Sequence, residues 1–221
     1  MALYIDCATL DEIVTVGQTV PLAGVTTNPS IMLAARERGQ RLDPLQILTA
    51  LLDKQTGLVF IQPGATGENE MLQEARSYIE IGPDRVIPKI PMTQPGMRVA
   101  RSLKAQGQPV AFTAVTSVAQ AYCAAMLQAD FIIPYYNRLA RSGVNASERI
   151  VQMSRLLQRQ QLPSRILAAS IKSSAEAAEA LIAGADDLTV APQVLLAMVT
   201  DPDSERAVEK FSQDWNKMKL L

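Results

Sequence analysis

Lys89 is the residue in this sequence whose surroundings most directly imply chemistry. It stands in Val86-Ile87-Pro88-Lys89-Ile90-Pro91, and a lysine is almost never fully buried without a partner or a task. Two readings stand side by side at this point. In one, the side chain snorkels or pairs with a buried acid such as Asp6. In the other, the amine is a Schiff-base nucleophile, kept neutral by removal from water. An ordinary lysine is a weak nucleophile, because only about one amine in 2500 is unprotonated at pH 7. Lowering its pKa by ~3 units costs about 4 kcal/mol of folding free energy, a cost that structural lysines seldom justify.

Further polar residues end the apolar runs: Asp6, Asn28, Gln62, Thr113, Tyr135 and Ser170. Each closes a different run, so strands of one sheet can aim them at a common space. Individually they are weak signals, since a Thr or Ser at a strand end caps the next helix more often than it reacts. Composition narrows the chemistry. The chain has no His, which removes imidazole triads, imidazole relays and nearly all catalytic zinc sites. Its two cysteines, Cys7 and Cys123, form no C-x-x-C, so neither a disulfide framework nor a thiolate cluster is indicated and a cytoplasmic setting is expected. With 21 basic and 22 acidic residues, a net charge of -1 and 5% aromatics, nothing concentrates the cations or stacking rings that nucleic-acid binding needs. No Lys or Arg precedes Arg36 and no apolar run is long enough for a membrane span, so no targeting or transmembrane segment is expected.

Stepping from these residues to their supports, short apolar runs alternate with helically spaced stretches, the pattern of repeated strand-helix units with a parallel sheet. Strands are predicted at Ala2–Asp6, Ala23–Thr27, Leu58–Gln62, Arg85–Ile90, Pro109–Thr113, Phe131–Pro134, Arg165–Ser170 and Asp187–Val190. Helices are predicted at Met71–Ile79, Met97–Ala105, Val118–Leu127, Ala146–Gln161, Ala175–Ala183 and Gln193–Thr200, with Gly82, Gly107 and Gly184 as left-handed exits. Eight strands in 221 residues leave about 28 residues per unit, close to the span of a strand, a crossover helix and two turns. The predicted fold is a single-domain α/β protein, a (β/α)8 TIM barrel over residues 1–202. An open doubly wound sheet is the alternative, but it usually carries a Gly-rich phosphate turn after its first strand, where this chain has Asp6-Cys7-Ala8. Two segments lie outside the eight units. One is an interrupted helical region from Ile31 to Lys54, broken by Gly39 and Pro44. The other is an extra C-terminal helix within 203–221, with Phe211 and Trp215 on one face, expected to pack on a neighbouring subunit.

Five segments together resemble the transaldolase family in order and spacing: Gly24-Val25-Thr26-Thr27-Asn28-Pro29-Ser30, Lys89-Ile90-Pro91-Met92-Thr93, Thr113-Ala114-Val115, Pro134-Tyr135-Tyr136-Asn137-Arg138 and Ala168-Ala169-Ser170-Ile171-Lys172. Gln62 with Tyr135 resembles its short fructose-6-phosphate aldolase branch, where transaldolases proper usually have Glu and Phe. The resemblance implies a class I aldolase with no metal and no organic cofactor, acting on a sugar or sugar phosphate. It implies Lys89 as the Schiff-base residue, and a water held by Gln62, Thr113 and Tyr135 as proton carrier. Asp6 would exchange the C4 hydroxyl proton and help orient Lys89. Asn28 would hold a donor hydroxyl, with Thr26 supporting that strand end, while Arg138 and Ser170, aided by Lys172, would bind the acceptor phosphate. Short family members assemble as rings, often pentamers paired into decamers, so a homo-oligomer is expected.

The sequence departs from the family at several points. Cys7 stands where Thr is usual, Ile133 where a small residue often precedes Pro-Tyr, Ala140 near the place of an Asp, and Pro63-Gly64 follow Gln62. Ile133 is expected to narrow the donor pocket, and Cys7 to be a buried small residue. Two other functions are weighed beside the aldolase: a transaldolase that passes a three-carbon unit between phosphosugars, and a non-catalytic phosphosugar-binding barrel.

Overall fold

Strands with apolar side chains on both faces need cover on both, and in the computed structural model, which describes residues 1–219, they find it by closing into a cylinder ringed by helices. The order is β1 Ala2–Asp6, α1 Leu10–Gly17, β2 Gly24–Thr26, α2 Pro29–Glu37, α3 Pro44–Lys54, β3 Leu58–Ile61, α4 Glu68–Ile81 and β4 Val86–Pro91. It continues with α5 Gln94–Ala105, β5 Ala111–Val115, α6 Val118–Met126, β6 Phe131–Pro134, α7 Tyr136–Arg141, α8 Ala146–Arg159 and β7 Arg165–Ile171. The last elements are α9 Ser174–Ile182, β8 Asp187–Val190, α10 Pro192–Ala197 and α11 Pro202–Met218. All strands are parallel, each pairs with its neighbours in sequence, and β8 closes on β1 through Leu3 opposite Leu188. The chain is a (β/α)8 barrel.

Alternation along each strand sorts the core into two parts. Outward residues such as Ile5, Val25, Val59, Phe112 and Val190 meet the helices in one continuous cluster. Inward residues Tyr4, Phe60, Ile87, Phe131, Ile133 and Leu167 form a second cluster inside the barrel. Phe60 lies edge to face against Tyr4 and Phe131, with ring centroids 5.2 and 4.9 Å away, so the lower interior is packed rather than open. At the base, the fully buried Asp187 carboxylate accepts from Ala2 N at 2.6 Å and from Arg165 Nε and Nη2 at 2.7 and 2.6 Å. This satisfies a charge that burial alone would make costly.

Several elements differ from the sequence expectation. Helices α1 and α7 stand where none is predicted: α1 is only eight residues long, although Leu10, Ile13 and Val14 have helical spacing, and α7 is a short helix set directly on the end of β6. The interrupted region resolves into α2 and α3, the latter opened by a reciprocal capping box between Asp43 and Gln46. Gly107 and Gly184 adopt φ of 75° and 101° as left-handed exits. Gly82 does not, at φ -154°. Its lack of a side chain serves close packing instead, since a Cβ there would meet Leu52 Cδ1 at 2.9 Å. Pro88 sits inside β4 but pairs with Ile61, the last residue of β3, after which β4 takes β5 as its partner from Lys89 onward. Among the described residues, no helix is long and apolar enough to cross a membrane.

Replacing Asp187 with Ala strips Arg165 and the Ala2 amide of their shared acceptor. Unfolding free energy is expected to fall by about 2 kcal/mol, seen as a lower urea midpoint at unchanged slope. An unmoved midpoint would mean that the base contributes no net stability.

Candidate active site

Lys89 follows Ile87 on the inward face of β4 and is the first inward residue above the packed aromatic layer. It is 1% exposed, and its Nζ donates to the Thr27 carbonyl at 3.0 Å. A protonated amine has three N–H groups to satisfy, and this is its one protein acceptor among the described residues. Burial pushes the amine down from its ordinary 10.5, against the opposing field of Asp6. Asp6 forms no ion pair with it among the described residues, so the paired-acid reading of Lys89 is not the arrangement found. The Asp6 Oδ1 instead accepts from the Thr26 hydroxyl at 2.6 Å. Thr26 Oγ1 also lies 2.5 Å from Thr189 Oγ1. Since the Thr26 proton goes to Asp6, Thr189 is the donor in that second contact, giving a relay from β8 through β2 to β1.

Above the lysine opens a cavity of about 450 Å3, whose lining includes Asp6, Asn28, Gln62, Lys89, Tyr135, Arg138, Ser170 and Lys172. Most of the sequence-predicted site residues therefore share one space at the C-terminal end of the strands, the face where (β/α)8 enzymes keep their sites. Tyr135 OH and Thr113 Oγ1 are 2.8 Å apart. Burial raises the Tyr135 phenol above its usual range, opposed by the Thr113 hydrogen bond, so it stays protonated at neutral pH. Gln62 reaches the same cavity from the end of β3. Across the mouth, the Arg138 guanidinium lies 4.7 Å over the Tyr135 ring. Neither Arg138 nor Lys172 has an ion-pair partner among the described residues, and Ser170 on β7 adds a hydroxyl to the same wall.

Two predicted residues hold the site rather than face it. Thr26 is fully buried and does not line the cavity; it holds Asp6. Thr113 is likewise buried and acts through Tyr135. Asn28 faces the cavity, but its Oδ1 caps α2 by accepting from Ile31 N at 3.0 Å, which leaves its amide N–H groups for a ligand. Ile133 belongs to the packed interior and is not a cavity wall. Cys7 lies outside the cavity with its thiol on Glu12 Oε2 at 3.3 Å, and burial pushes that thiol up to about 12, so it is an inert packing residue. Sequence reading missed Thr189 and the Thr27 carbonyl. Period-two alternation from Asp187 points to Thr189; a backbone acceptor carries no side-chain signal.

Ala114 and Ser170 have φ of 58° and 61°, and each lies within a register shift, of β5 against β6 and of β7 against β8. Both irregularities open onto the cavity. Strained backbone of this kind is commonly found next to functional sites.

The architecture is shared with proteins of other chemistry. An inosine 5'-monophosphate dehydrogenase from Legionella pneumophila superposes with a TM-score of 0.62 at 17% identity, over 88% of this chain and 59% of that one. A double mutant of flavocytochrome b2 with pyruvate bound gives 0.59 at 11% identity, over 88% and 57%. The chain thus spans less than two thirds of either structure, and at such identities the likeness is one of fold alone. The family follows from the sequence as a whole: residues 3–220 match transaldolase/fructose-6-phosphate aldolase, and the chain belongs to that family.

The lowered amine has a thermodynamic signature. The folded protein releases the Lys89 proton at lower pH than the unfolded chain, so between the folded value and 10.5 the unfolded state binds more protons and stability rises with pH. Lys89→Met deletes this contribution. Stability of the wild type relative to that variant is expected to climb with pH, by up to about 1.4 kcal/mol per unit inside the window, in urea unfolding at stepped alkaline pH. A flat difference would mean that Lys89 titrates as an ordinary surface lysine.

Proposed function

We propose that the protein is a class I aldolase that reversibly cleaves fructose 6-phosphate, or a related sugar, to dihydroxyacetone and glyceraldehyde 3-phosphate. The observation that carries this reading is the buried, singly hydrogen-bonded amine of Lys89 at the floor of a polar cavity. In the proposed reaction, Lys89 Nζ attacks the ketose carbonyl and water leaves, forming an iminium. The bond between C3 and C4 then breaks and its electron pair flows to the iminium nitrogen, giving an enamine. Asp6 takes the proton of the C4 hydroxyl as the aldehyde departs. Protonation of the enamine at C3 and attack of water at the iminium carbon return the free amine and release dihydroxyacetone.

The proton carrier proposed for the last steps is a water held between Gln62 and the Thr113–Tyr135 pair. A protonated phenol beside the cavity supports this assignment. Asn28 is proposed to hold a donor hydroxyl through its amide N–H groups. Arg138 and Ser170, with Lys172 at the rim, are proposed to bind the acceptor phosphate, supported by two cations that have no ion-pair partner among the described residues and stand beside a hydroxyl. The free thiols Cys7 and Cys123 support a reducing, cytoplasmic setting. The barrel over 1–202 is proposed as the catalytic unit, and α11 as an assembly element seated on a second copy of the chain. That helix buries none of its residues, and Val208, Phe211, Trp215 and Met218 are spaced three, four and three apart along one exposed face. The barrel surface offers a matching apolar groove of about 500 Å3 with Met32, Leu33, Leu45 and Tyr78 among its walls.

Borohydride added with fructose 6-phosphate is expected to fix the substrate covalently to Lys89, and Lys89→Met is expected to lose both adduct and turnover. An unchanged mass would leave a phosphosugar-binding barrel. Tyr135→Phe is expected to slow release of free dihydroxyacetone by about 10²-fold or more, the usual loss for a proton-transfer group, with adduct formation kept. If the wild type releases none without a second aldehyde, the protein is a transaldolase. For assembly, the double variant Phe211→Glu with Trp215→Glu is expected to lower the molar mass found by light scattering. A wild-type monomer would overturn the role given to α11.

A further inference from the structure

The cationic end of the cavity is built from two consecutive strand-helix units, with Arg138 on α7 after β6, and Ser170 with Lys172 at the end of β7. One carboxylate outside the cavity joins them. Glu176 Oε1 accepts from Asn137 Nδ2 at 2.9 Å, and its Oε2 accepts from the backbone N of Lys172 at 2.8 Å. Asn137 immediately precedes Arg138, and Lys172 lies two residues beyond Ser170. Each oxygen of Glu176 therefore holds one arm of the mouth.

The local sequence makes a different use of this side chain the default. Ser173 caps α9 by accepting from Glu176 N at 3.1 Å, and in a Ser-x-x-Glu box the glutamate returns to the amide of the capping residue itself. Glu176 passes that amide and bonds Lys172 N and Asn137 instead. A carboxylate needed only to end a helix has no reason to reach a neighbouring unit. The tie is reinforced one turn later, where Tyr136 OH donates to Glu179 Oε2 at 2.6 Å.

We propose that Glu176 is a positioning residue that sets the separation between Arg138 and the Ser170–Lys172 segment, and so governs recognition of the phosphate end of the acceptor aldehyde. The inference rests on the reading of those residues as the phosphate side of an aldolase. Spacing matters because a guanidinium fork and a hydroxyl engage one phosphate together only when both are in place before it arrives.

The test is steady-state synthesis from dihydroxyacetone with two acceptors, glyceraldehyde 3-phosphate and unphosphorylated glyceraldehyde. Glu176→Ala is expected to raise KM for the phosphorylated aldehyde about tenfold, the weight of one to two hydrogen bonds. Its kcat, and KM for the unphosphorylated aldehyde, are expected to stay within about twofold. Glu176→Gln keeps one acceptor oxygen and is expected to recover part of the loss. Asn137→Ala is expected to give a smaller rise, and combining it with Glu176→Ala to add nothing, as for two members of one contact. Should Glu176→Ala fold poorly, the Gln and Asn137 variants carry the same comparison. Equal losses with both aldehydes, or kinetics like the wild type, overturn the proposal. A wild-type protein with no borohydride adduct at Lys89 removes the aldolase reading itself, which is a separate and distinguishable failure.

Discussion

Withdrawal of the Lys89 amine from water is the constraint around which the rest of the molecule is arranged. Burial at that depth depends on packing beneath it, and the inward aromatic cluster of Tyr4, Phe60 and Phe131 closes the barrel from below. The field of Asp6 opposes the lowering of the amine, yet among the described residues the two form no ion pair, and the Asp6 Oδ1 accepts from the Thr26 hydroxyl, itself fed by Thr189. The hydroxyl relay and the single carbonyl partner thus leave Lys89 an amine lowered by burial, with the field of Asp6 acting against that shift.

Much of this was legible before any coordinates. The strands Ala2–Asp6, Phe131–Pro134 and Asp187–Val190 coincide with prediction, and most remaining boundaries move by a residue or two, because short apolar, β-branched runs bounded by turn residues are the mark of strands buried on both faces. The polar ends of the strands pointed to the cavity because the C-terminal ends of parallel strands all open on one face of a barrel. What escaped was of another kind. Helix α1 is only eight residues long, so the helical spacing of Leu10, Ile13 and Val14 spans little more than one turn. The division between Thr26, which supports Asp6 from the end of β2, and Asn28, which lies two residues past the strand, caps α2 and faces the cavity, depends on where β2 ends, and the run Thr26-Thr27-Asn28 has no apolar alternation to indicate it.

The mouth is held by polar side chains from the loops and helices around it, a feature no motif announces. Gln40 bridges Ala8 and Leu10 after β1, Glu74 holds Gly64 after β3, Gln120 holds Thr116 after β5, and Glu176 holds Lys172 after β7. These ties fall on odd-numbered strands. Each satisfies backbone groups that a loop would otherwise leave to water, so the rim is stiffened without bulky side chains entering the cavity. The same barrel architecture occurs in a dehydrogenase and a flavocytochrome at 17% and 11% identity.

The left-handed torsion at Ser170 has a further consequence. A regular strand turns neighbouring residues to opposite faces, but the register break in β7 lets Ala169 and Ser170 both border the cavity. The strand thereby contributes a smooth apolar step and a hydroxyl at one level of the wall, a density of function that strict alternation forbids. Glycine would adopt this conformation at lower conformational cost but would bring no oxygen. Serine at 170 thus trades backbone ease for a hydroxyl on the cavity wall.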